Sequence, residues 1–485
     1  HNNIMSNTQL SVSNVDVKFL ILNTANGEYD LLPHLEEFNI YEDIFASNMS
    51  AYISLIDGNN LPYNLPIVGE ERVLTEISLR SVDSQKGDGL SIVPPNLHVN
   101  SLSDRFLRNP QSQRFGLDLV SSKYMNNVCS KVSQSYHSMS ISDIADNVYR
   151  EYISDGSYID IEETDRAEHI VIPNWSPFAT MNWLAERAVS KKTGAANYLY
   201  YETMDEVHFK SLTKLCSIET SLNFIYAPAI DDPTKIEGLS GMTVKVDKID
   251  YMNSFNKVNN LMRGQYASKL ITHDIVSKKI QQHNYSHLID WGKHKHCGKF
   301  PPVSDTDVIL NDLGPDRTSY APPVLDPETK KAIKEGPIRN IISGTSLSQL
   351  TDSSVSFHPK HNKMYSKNKD HAYDNKVEEW KLQHRAQRAI FDNTTIQVEC
   401  AGLSFIRVGM TIALYIDSPE KSTPESSVDK LLSGKFLITA VKHVFSKTGT
   451  GNEIAYKMVL ELAKDGLEER IISRQFGPKP KRVGV

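Results

Sequence analysis

The sequence has little cysteine and no long hydrophobic run. Its four cysteines in 485 residues lie far apart, with no CxxC pair among Cys129, Cys216, Cys297 and Cys400. Scattered single cysteines are typical of a reduced, intracellular protein and argue against a disulfide framework. No apolar run approaches the ~20 residues that a membrane helix needs, so no membrane span is predicted.

The sequence also lacks a strong excess of charge of one sign. Its formal net charge is −6, from 53 Lys and Arg residues against 59 Asp and Glu residues. This mild acidic balance argues against non-specific nucleic-acid binding, which needs clustered basic residues.

The common catalytic and cofactor motifs are missing as well. The sequence contains no P-loop, no GxGxxG after a strand, no GxSxG elbow and no HExxH. We therefore predict no cofactor and assign no catalytic residue. These absences do not exclude an enzyme, but they leave no residue to assign to one.

Strand and turn patterns are what the sequence does contain, most clearly over residues 38–71. Residues 51–56 alternate bulky and small side chains, as a half-buried strand does. The following Asp57-Gly58-Asn59-Asn60 is turn chemistry, since Gly allows positive φ and Asx side chains bond their own backbone. We predict strand, turn, strand, short helical crossover and a further strand, which together form half of a small closed sheet.

Similar short strands recur at both ends of the chain, and the middle has helical periodicity. A length of 485 residues predicts about three domains, and about six short strands in one domain indicate a small barrel or sandwich. We therefore predict an α+β, mainly β fold with two small β-barrels, an intervening α/β domain and a long insertion. The predicted units are a flexible N-terminus at 1–13, a first barrel at 14–135, an α/β domain at 136–235, a discontinuous second barrel at 236–289 and 373–463, an insertion at 290–372, and a basic C-terminal tail at 464–485.

The α/β domain has recognisable helix starts and one hairpin. Ser140 followed by Asp143 is typical of a capped helix N-terminus. Ser176 before Pro177 predicts the start of a second helix. Residues 197–202 and 206–211 predict a hairpin.

A His-rich segment is the best metal candidate. His294, His296 and Cys297 lie close together, with His283 and His287 upstream. Imidazole and thiolate suit zinc, but no second cysteine lies at ligand spacing, so a solvated His-rich loop is the favoured interpretation and no metal site is predicted.

The stretch between Glu28 and Glu76 is acidic, with ten Asp or Glu residues and one basic residue, Arg72. Adjacent pairs such as Glu36-Glu37 and Glu42-Asp43 point to opposite faces of a strand, so they are poor acid–base pairs. A solvated charged face is the favoured interpretation.

Four parts of the chain, taken in order, resemble the central baseplate hub protein of contractile-tailed phages. The resemblance covers most of residues 15–463 and is carried by FNIYEDIFASNMSAYISLIDGNNLPYNLPIVGEE, by ISDIADNVYREYI with IPNWSPFATMNWLAERAV, by NYLYYETMDEVHFKSL, and by VEEWKLQHRAQRAIFDNTTIQVECAGLSFIRVGMTIALYI with GKFLITAVKHVF. The long segment around 290–372 departs from the family.

The resemblance implies a homotrimeric ring in which each chain carries two tube-protein-like barrels. Three chains then present six barrels around a channel, which adapts a six-fold tail tube to a three-fold central spike. The implied partners are the central spike, the tail tube or tube-initiator protein, and surrounding baseplate wedge proteins, with DNA as transient cargo. The implied location is the virion tail baseplate, assembled in the host cytoplasm.

A channel that passes DNA gives the acidic stretch a role, because a negative lining repels phosphates. On this resemblance, the candidates for lining the channel are Glu36, Glu37, Glu42, Asp43, Glu70 and Glu71.

Two alternatives place an activity in the insertion. One is peptidoglycan hydrolysis, which typically needs two carboxylates flanking the bond. The other is glycan binding. The acidic residues that the insertion offers are Asp305, Asp307, Asp312, Asp316 and Glu328.

Overall fold

The computed structural model describes a mainly β protein. The described residues are 14–79, 91–220, 222–226, 242–253, 256–302, 350–360, 375–418, 428–448 and 454–468. The strands within them are β1 (Asn14–Thr24), β2 (Gly27–Asp30), β3 (Leu35–Asp43), β4 (Ser50–Asp57), β5 (Arg72–Leu79), β6 (Ser91–Ile92), β7 (Leu97–Asn109), β8 (Ser112–Ser121), β9 (Val132–Ser140), β10 (Ile159–Ile161), β11 (Ala167–Trp175), β12 (Tyr198–Glu202), β13 (Val207–Ser211), β14 (Leu222–Tyr226), β15 (Met242–Asn253), β16 (Ala267–Asp274), β17 (Lys279–Ser286), β18 (Val355–Lys360), β19 (Thr394–Ala401), β20 (Thr411–Ile416), β21 (Gly434–Lys447) and β22 (Ile454–Lys464).

The α-helices of the same residues are mostly short. They are α1 (Leu61–Asn64), α2 (Ser122–Cys129), α3 (Ile141–Val148), α4 (Pro177–Arg187), α5 (Leu212–Cys216), α6 (Lys257–Met262), α7 (His287–Trp291) and α8 (Val377–Ile390). The predicted order of elements across 38–71 is confirmed, as β3, β4, α1 and β5.

One large sheet contains most of the strands, and its pairings close two circuits. The first circuit runs β1-β5-β7-β8-β4-β3-β21-β22 and returns to β1. The second runs β22-β19-β15-β14-β20-β21 and returns to β22. The β21–β22 hairpin therefore belongs to both circuits.

The β21–β22 hairpin can belong to both circuits because its strands are long. One edge of β21 pairs with β20 over residues 434–437 and then with β3 over residues 440–446. The register between β21 and β22 shifts between Ile438 and Ala440, close to the point where the partner of β21 changes. A bulge of this kind bends a strand and increases its twist, which lets one strand serve two curved sheets.

A single hydrophobic core fills both circuits. It joins Phe38 and Ile53 of the first circuit to Val398 and Leu414 of the second, through Phe445 of the shared hairpin. Alternate residues along each strand supply these side chains, as expected for sheets with one buried face.

The α/β unit has its own core between α3, α4 and two small sheets, β9–β11 and β10–β13–β12. The predicted cap at Ser140 is confirmed, since its hydroxyl accepts the N–H of Asp143 at 3.1 Å. Pro177 opens α4, although the side chain of Ser176 makes no capping bond. The predicted hairpin is present as β12 and β13.

Strand pairing differs from the predicted boundaries in two places. β14 falls inside the predicted α/β domain, but it pairs with β15 and β20 of the second circuit. β16 and β17 fall inside the predicted second barrel, but they form a separate sheet with β18, from the predicted insertion. Periodicity could not reveal these partners, because it reports which residues form a strand and not which strand they join.

The segment before β16 begins as a helix. Helix α6 occupies its first residues, capped by the Asn256 side chain, which accepts the N–H of Asn259. Gly264, with φ of +78°, follows the helix end, and β16 then begins at Ala267.

We expect Gly402→Ala to lower the free energy of unfolding by about 1–3 kcal/mol, because it overpacks the shared hairpin. A Cβ at Gly402 would lie 2.1 Å from Cδ1 of Tyr456. That ring cannot move aside, since it stacks on Phe445 at 4.5 Å between ring centroids and its hydroxyl donates to the Leu403 carbonyl at 3.2 Å. Chemical denaturation measures the change.

The matched control is Gly292→Ala, whose added Cβ meets no atom within 4 Å and whose φ of −67° suits any residue. Equal stability of the two variants would contradict the packing described for Tyr456.

Candidate functional site

The most extensive surface feature is the outward side of one antiparallel sheet that crosses both circuits. The strands β7-β8-β4-β3-β21-β22-β19-β15 are consecutive neighbours. Their inward residues belong to the core, and their outward residues are mostly polar. We call this outward side the polar face; its charged residues include Glu36, Glu37, Arg114, Asp118, Lys248, Asp250, Glu399, Lys442, Lys457 and Glu461.

Four basic residues of the polar face, Arg114, Lys248, Lys442 and Lys457, lie next to its acidic residues. Arg114 bonds Glu36 at 2.5 Å, and both meet the hydroxyl of Ser54. Lys457 lies 3.3 Å from Glu399. Half-exposed ion pairs of this kind add little to stability.

The same face carries two further paired lysines. Lys248 meets Asp250 at 2.6 Å, and Lys442 lies 4.0 Å from Glu37 while covering the Tyr41 ring. Lys442 comes from the shared hairpin and Glu37 from β3, so this contact joins strands of the two predicted barrels.

Behind the polar face, Glu42 of β3 is a buried carboxylate that holds three parts of the chain together. It accepts the N–H of Met204 at 2.8 Å, from the β12–β13 turn, and that of Val408 at 3.3 Å, from the loop before β20. The guanidinium of Arg407 lies 3.8 Å away and also pairs with Asp205 at 2.7 Å. Burial raises the pKa of Glu42 to about 7, although Arg407 and the two backbone bonds act in the opposite direction.

Glu202 of β12 makes the reciprocal contact. Its carboxylate accepts the N–H of Met49 at 3.0 Å and the hydroxyl of Ser121 at 2.7 Å, and it pairs with Lys123 at 3.1 Å. Burial lowers the pKa of Lys123, but Glu202 and Asp155 outweigh that effect and raise it. Each unit thus inserts one carboxylate into the other.

The predicted channel-lining residues separate into different environments. Glu36 and Glu37 lie together on the polar face, because a register shift between Leu35 and Glu37 brings both to one side. Glu42 is 1% exposed and Glu71 is 3% exposed. We therefore correct the prediction for these two residues.

The reasons for the two corrections are visible in their contacts. Glu42 shares its strand parity with the core residues Phe38 and Ile40, so it points inward. Glu71 closes a loop by accepting the N–H groups of Val68 and Gly69 at 2.8 and 2.9 Å. Asp43 is half-buried, and Glu70 is exposed on the loop before β5.

The residues of the His-rich segment contact different partners. His296 stacks on Trp291 and bonds Asp465 at 2.6 Å, whereas His294 contacts Gln383. Cys297 lies 3.3 Å from Cys216, a pairing that the chain separation of the two residues did not suggest.

Within the described residues, one group has metal-ligand atoms close together: Asp160, Glu206 and His208, all within 4.8 Å. The ammonium of Lys210 already pairs with Asp160, so this group is an ion-pair cluster. The acidic residues considered for hydrolysis, Asp305, Asp307, Asp312, Asp316 and Glu328, lie outside the described residues.

Among the helices of the described residues, none has both the length and the apolar character needed to cross a membrane.

Comparison with known proteins returns structures only. No protein-family model and no curated sequence matches the chain. A tail protein from Neisseria meningitidis is 10% identical, with a TM-score of 0.48, over 92% of this chain and 96% of the other. The 43 kDa tail protein of prophage MuSo2 from Shewanella oneidensis is 10% identical, with a TM-score of 0.46, over 92% and 98%.

A Francisella PdpA–VgrG complex contains a third similar chain, which is 10% identical with a TM-score of 0.43, over 98% of this chain and 61% of the other. Tail proteins are thus among the solved structures to which this chain is similar.

We expect Glu42→Gln to change how stability depends on pH. The carboxyl has a pKa of about 7 in the folded chain against 4.5 ordinarily, so folding favours its protonated form. The stability that Glu42 provides relative to Gln is full below pH 4.5 and is lost as the pH rises through about 7. The difference in unfolding free energy should change by about 3 kcal/mol across that window, as measured by denaturation at each pH.

Glu70→Gln is the matched control, since Glu70 is exposed. Its pH profile should follow that of the unmodified chain. Parallel profiles for Glu42→Gln and the unmodified chain would show that Glu42 is not held in the environment described.

Proposed function

We propose that this chain is a structural subunit of the baseplate hub of a contractile phage tail. The observation that carries the proposal is the pair of strand circuits that share one hairpin and one core. In this proposal each circuit is a tube-protein-like barrel. The division into domains stays as predicted, except that β14 joins the second barrel and β16–β18 form a separate sheet.

Two barrels in one chain suit a symmetry adapter. Three copies closed by a three-fold axis would present six barrels in a ring. One surface of such a ring then matches a six-fold tail tube, while the ring as a whole has the three-fold symmetry of a spike. The partners we propose are therefore the central spike, the tail tube or its initiator, and the surrounding wedge proteins, in a virion tail baseplate assembled in the host cytoplasm.

The polar face is the proposed wall of the channel. It crosses both circuits without a break, so three copies would supply a continuous lining. Its cations Arg114, Lys248 and Lys457 lie next to carboxylates, and this arrangement reduces the positive charge that could retain DNA phosphates. Glu36 and Glu37 remain lining candidates on this face, and Asp43 and Glu70 remain candidates at its margin.

The role we propose is mechanical rather than catalytic. The buried carboxylates that have unusual environments, Glu42 and Glu202, are occupied by backbone N–H groups and by basic side chains of the same chain. They join units, and neither is presented to a substrate.

We expect the purified chain to form a trimer, alone or with its spike partner. The subunit mass is 54.6 kDa, so three subunits have a mass of 163.8 kDa. Light scattering coupled to size exclusion measures this mass. A stable hexamer of the chain would contradict the proposed ring, because it would present twelve barrels.

We expect the polar face to repel DNA in the ring and to bind it after charge reversal. The test variant is Glu37→Lys with Glu461→Lys, which adds positive charge to the polar face on β3 and on β22. Filter binding of double-stranded DNA should rise from background in the variant ring. The control reverses two exposed acids away from this face, Glu163→Lys and Glu219→Lys, and should stay at background. Equal retention by both variants would exclude the polar face as the channel wall.

A further inference from the structure

A groove lined by three basic side chains lies between helices α4 and α8. Its cavity volume is about 770 Å³, within the range of pockets that hold ligands. Phe45, from the turn after β3, lines one part, and Ser356 of β18 lines another. The remaining lining residues come from α4, from α8 and from the turn after α8: Asn182, Trp183, Glu186, Lys381, Leu382, His384, Arg385, Arg388, Ala389 and Asp392.

Three cations of α8 point along this groove. Lys381, Arg385 and Arg388 are spaced by four and three residues, which places them on one helix face. Among the described residues, no carboxylate lies within ion-pair distance of any of them. Lys381 instead lies 3.4 Å from His358, and Arg385 lies 3.5 Å from Ser356.

The acidic residues nearby offset this row of cations in part. Asp392 pairs with Arg263 at 3.3 Å, outside the groove lining. Asp43, which is close to Arg388, accepts the N–H of Phe45 at 2.7 Å. Glu186 is the remaining carboxylate of the lining. The floor residue His384 is buried, and burial lowers its pKa to about 4, so it is neutral at neutral pH.

The groove disfavours a nucleic acid. Single strands bind where aromatic faces are open for base stacking, but here the Arg388 guanidinium covers Phe45 at 5.6 Å and the Arg187 guanidinium covers Trp183 at 3.8 Å. A continuous polyphosphate would also meet the carboxylate of Glu186. Carboxylates that are spaced along a peptide can reach the three cations and avoid that acid.

We propose that this groove binds an acidic peptide segment of a partner protein. The Arg guanidinium donates two parallel hydrogen bonds to a carboxylate. Leu382 and Ala389 also line the groove, so one apolar side chain between the acids would lie beside them. All three cations belong to one chain, so the proposed site does not depend on the trimer or on the hub assignment.

The test measures binding by fluorescence anisotropy of a short labelled peptide that alternates Glu and Ser around one Leu. The groove variant is Arg385→Gln with Arg388→Gln. Its matched control, Lys131→Gln with Lys279→Gln, removes the same charge at exposed residues elsewhere. We expect the groove variant to bind about tenfold more weakly and the control to bind as the unmodified chain does. A peptide with Gln in place of Glu should not bind.

Three results would overturn the proposal. The first is an unmodified chain that does not bind the peptide. The second is equal affinity of the groove variant and the control, with both showing unchanged thermal melting. The third is an oligothymidylate that binds more tightly than the peptide and displaces it, which would assign the groove to nucleic acid. A Trp fluorescence change on peptide binding that is lost in Trp183→Phe would place the peptide in the groove.

Discussion

The hairpin of β21 and β22 is the constraint on which the rest of the structure depends. Both strand circuits close through this hairpin, and β21 changes partner from β20 to β3 along one edge. A change that shifted its register by one residue would exchange core and surface residues in both circuits. Tyr456 shows how little freedom remains there, because its ring is stacked and its hydroxyl is bonded.

The exchange of carboxylates extends this coupling to the α/β unit. The Glu42 side chain, from β3 of the first circuit, accepts a hydrogen bond from the β12–β13 turn. The Glu202 side chain, from β12, accepts hydrogen bonds from Met49 and Ser121. A buried carboxylate that loses its partners is strongly destabilising, by about 3–5 kcal/mol. Such contacts specify one arrangement of the two units, since any other docking would leave charges buried without partners.

Local features of the sequence predicted the strands and the turn of residues 38–71, but they could not predict long-range strand pairing. Residues 38–71 were predictable because the Asp57 turn and the alternation of 51–56 are encoded by near neighbours. The partners of β14 and β16 were not, since strand pairing across hundreds of residues leaves no local period. Of the acidic site residues, Glu42 carried a usable signal: its parity with Phe38 and Ile40 indicated the core face. Glu71 gave no such signal, because its contacts arise from a loop.

A shared core has a mechanical consequence for the proposed role. Two barrels joined by a flexible linker would tilt independently, and three such chains would not impose six regular positions. Here one hydrophobic core and one hairpin serve both circuits, and packed cores are resistant to deformation. The position of one circuit therefore determines that of the other. If three copies close a ring, the six-fold surface follows from the three-fold contact alone, and this is the property that a symmetry adapter requires.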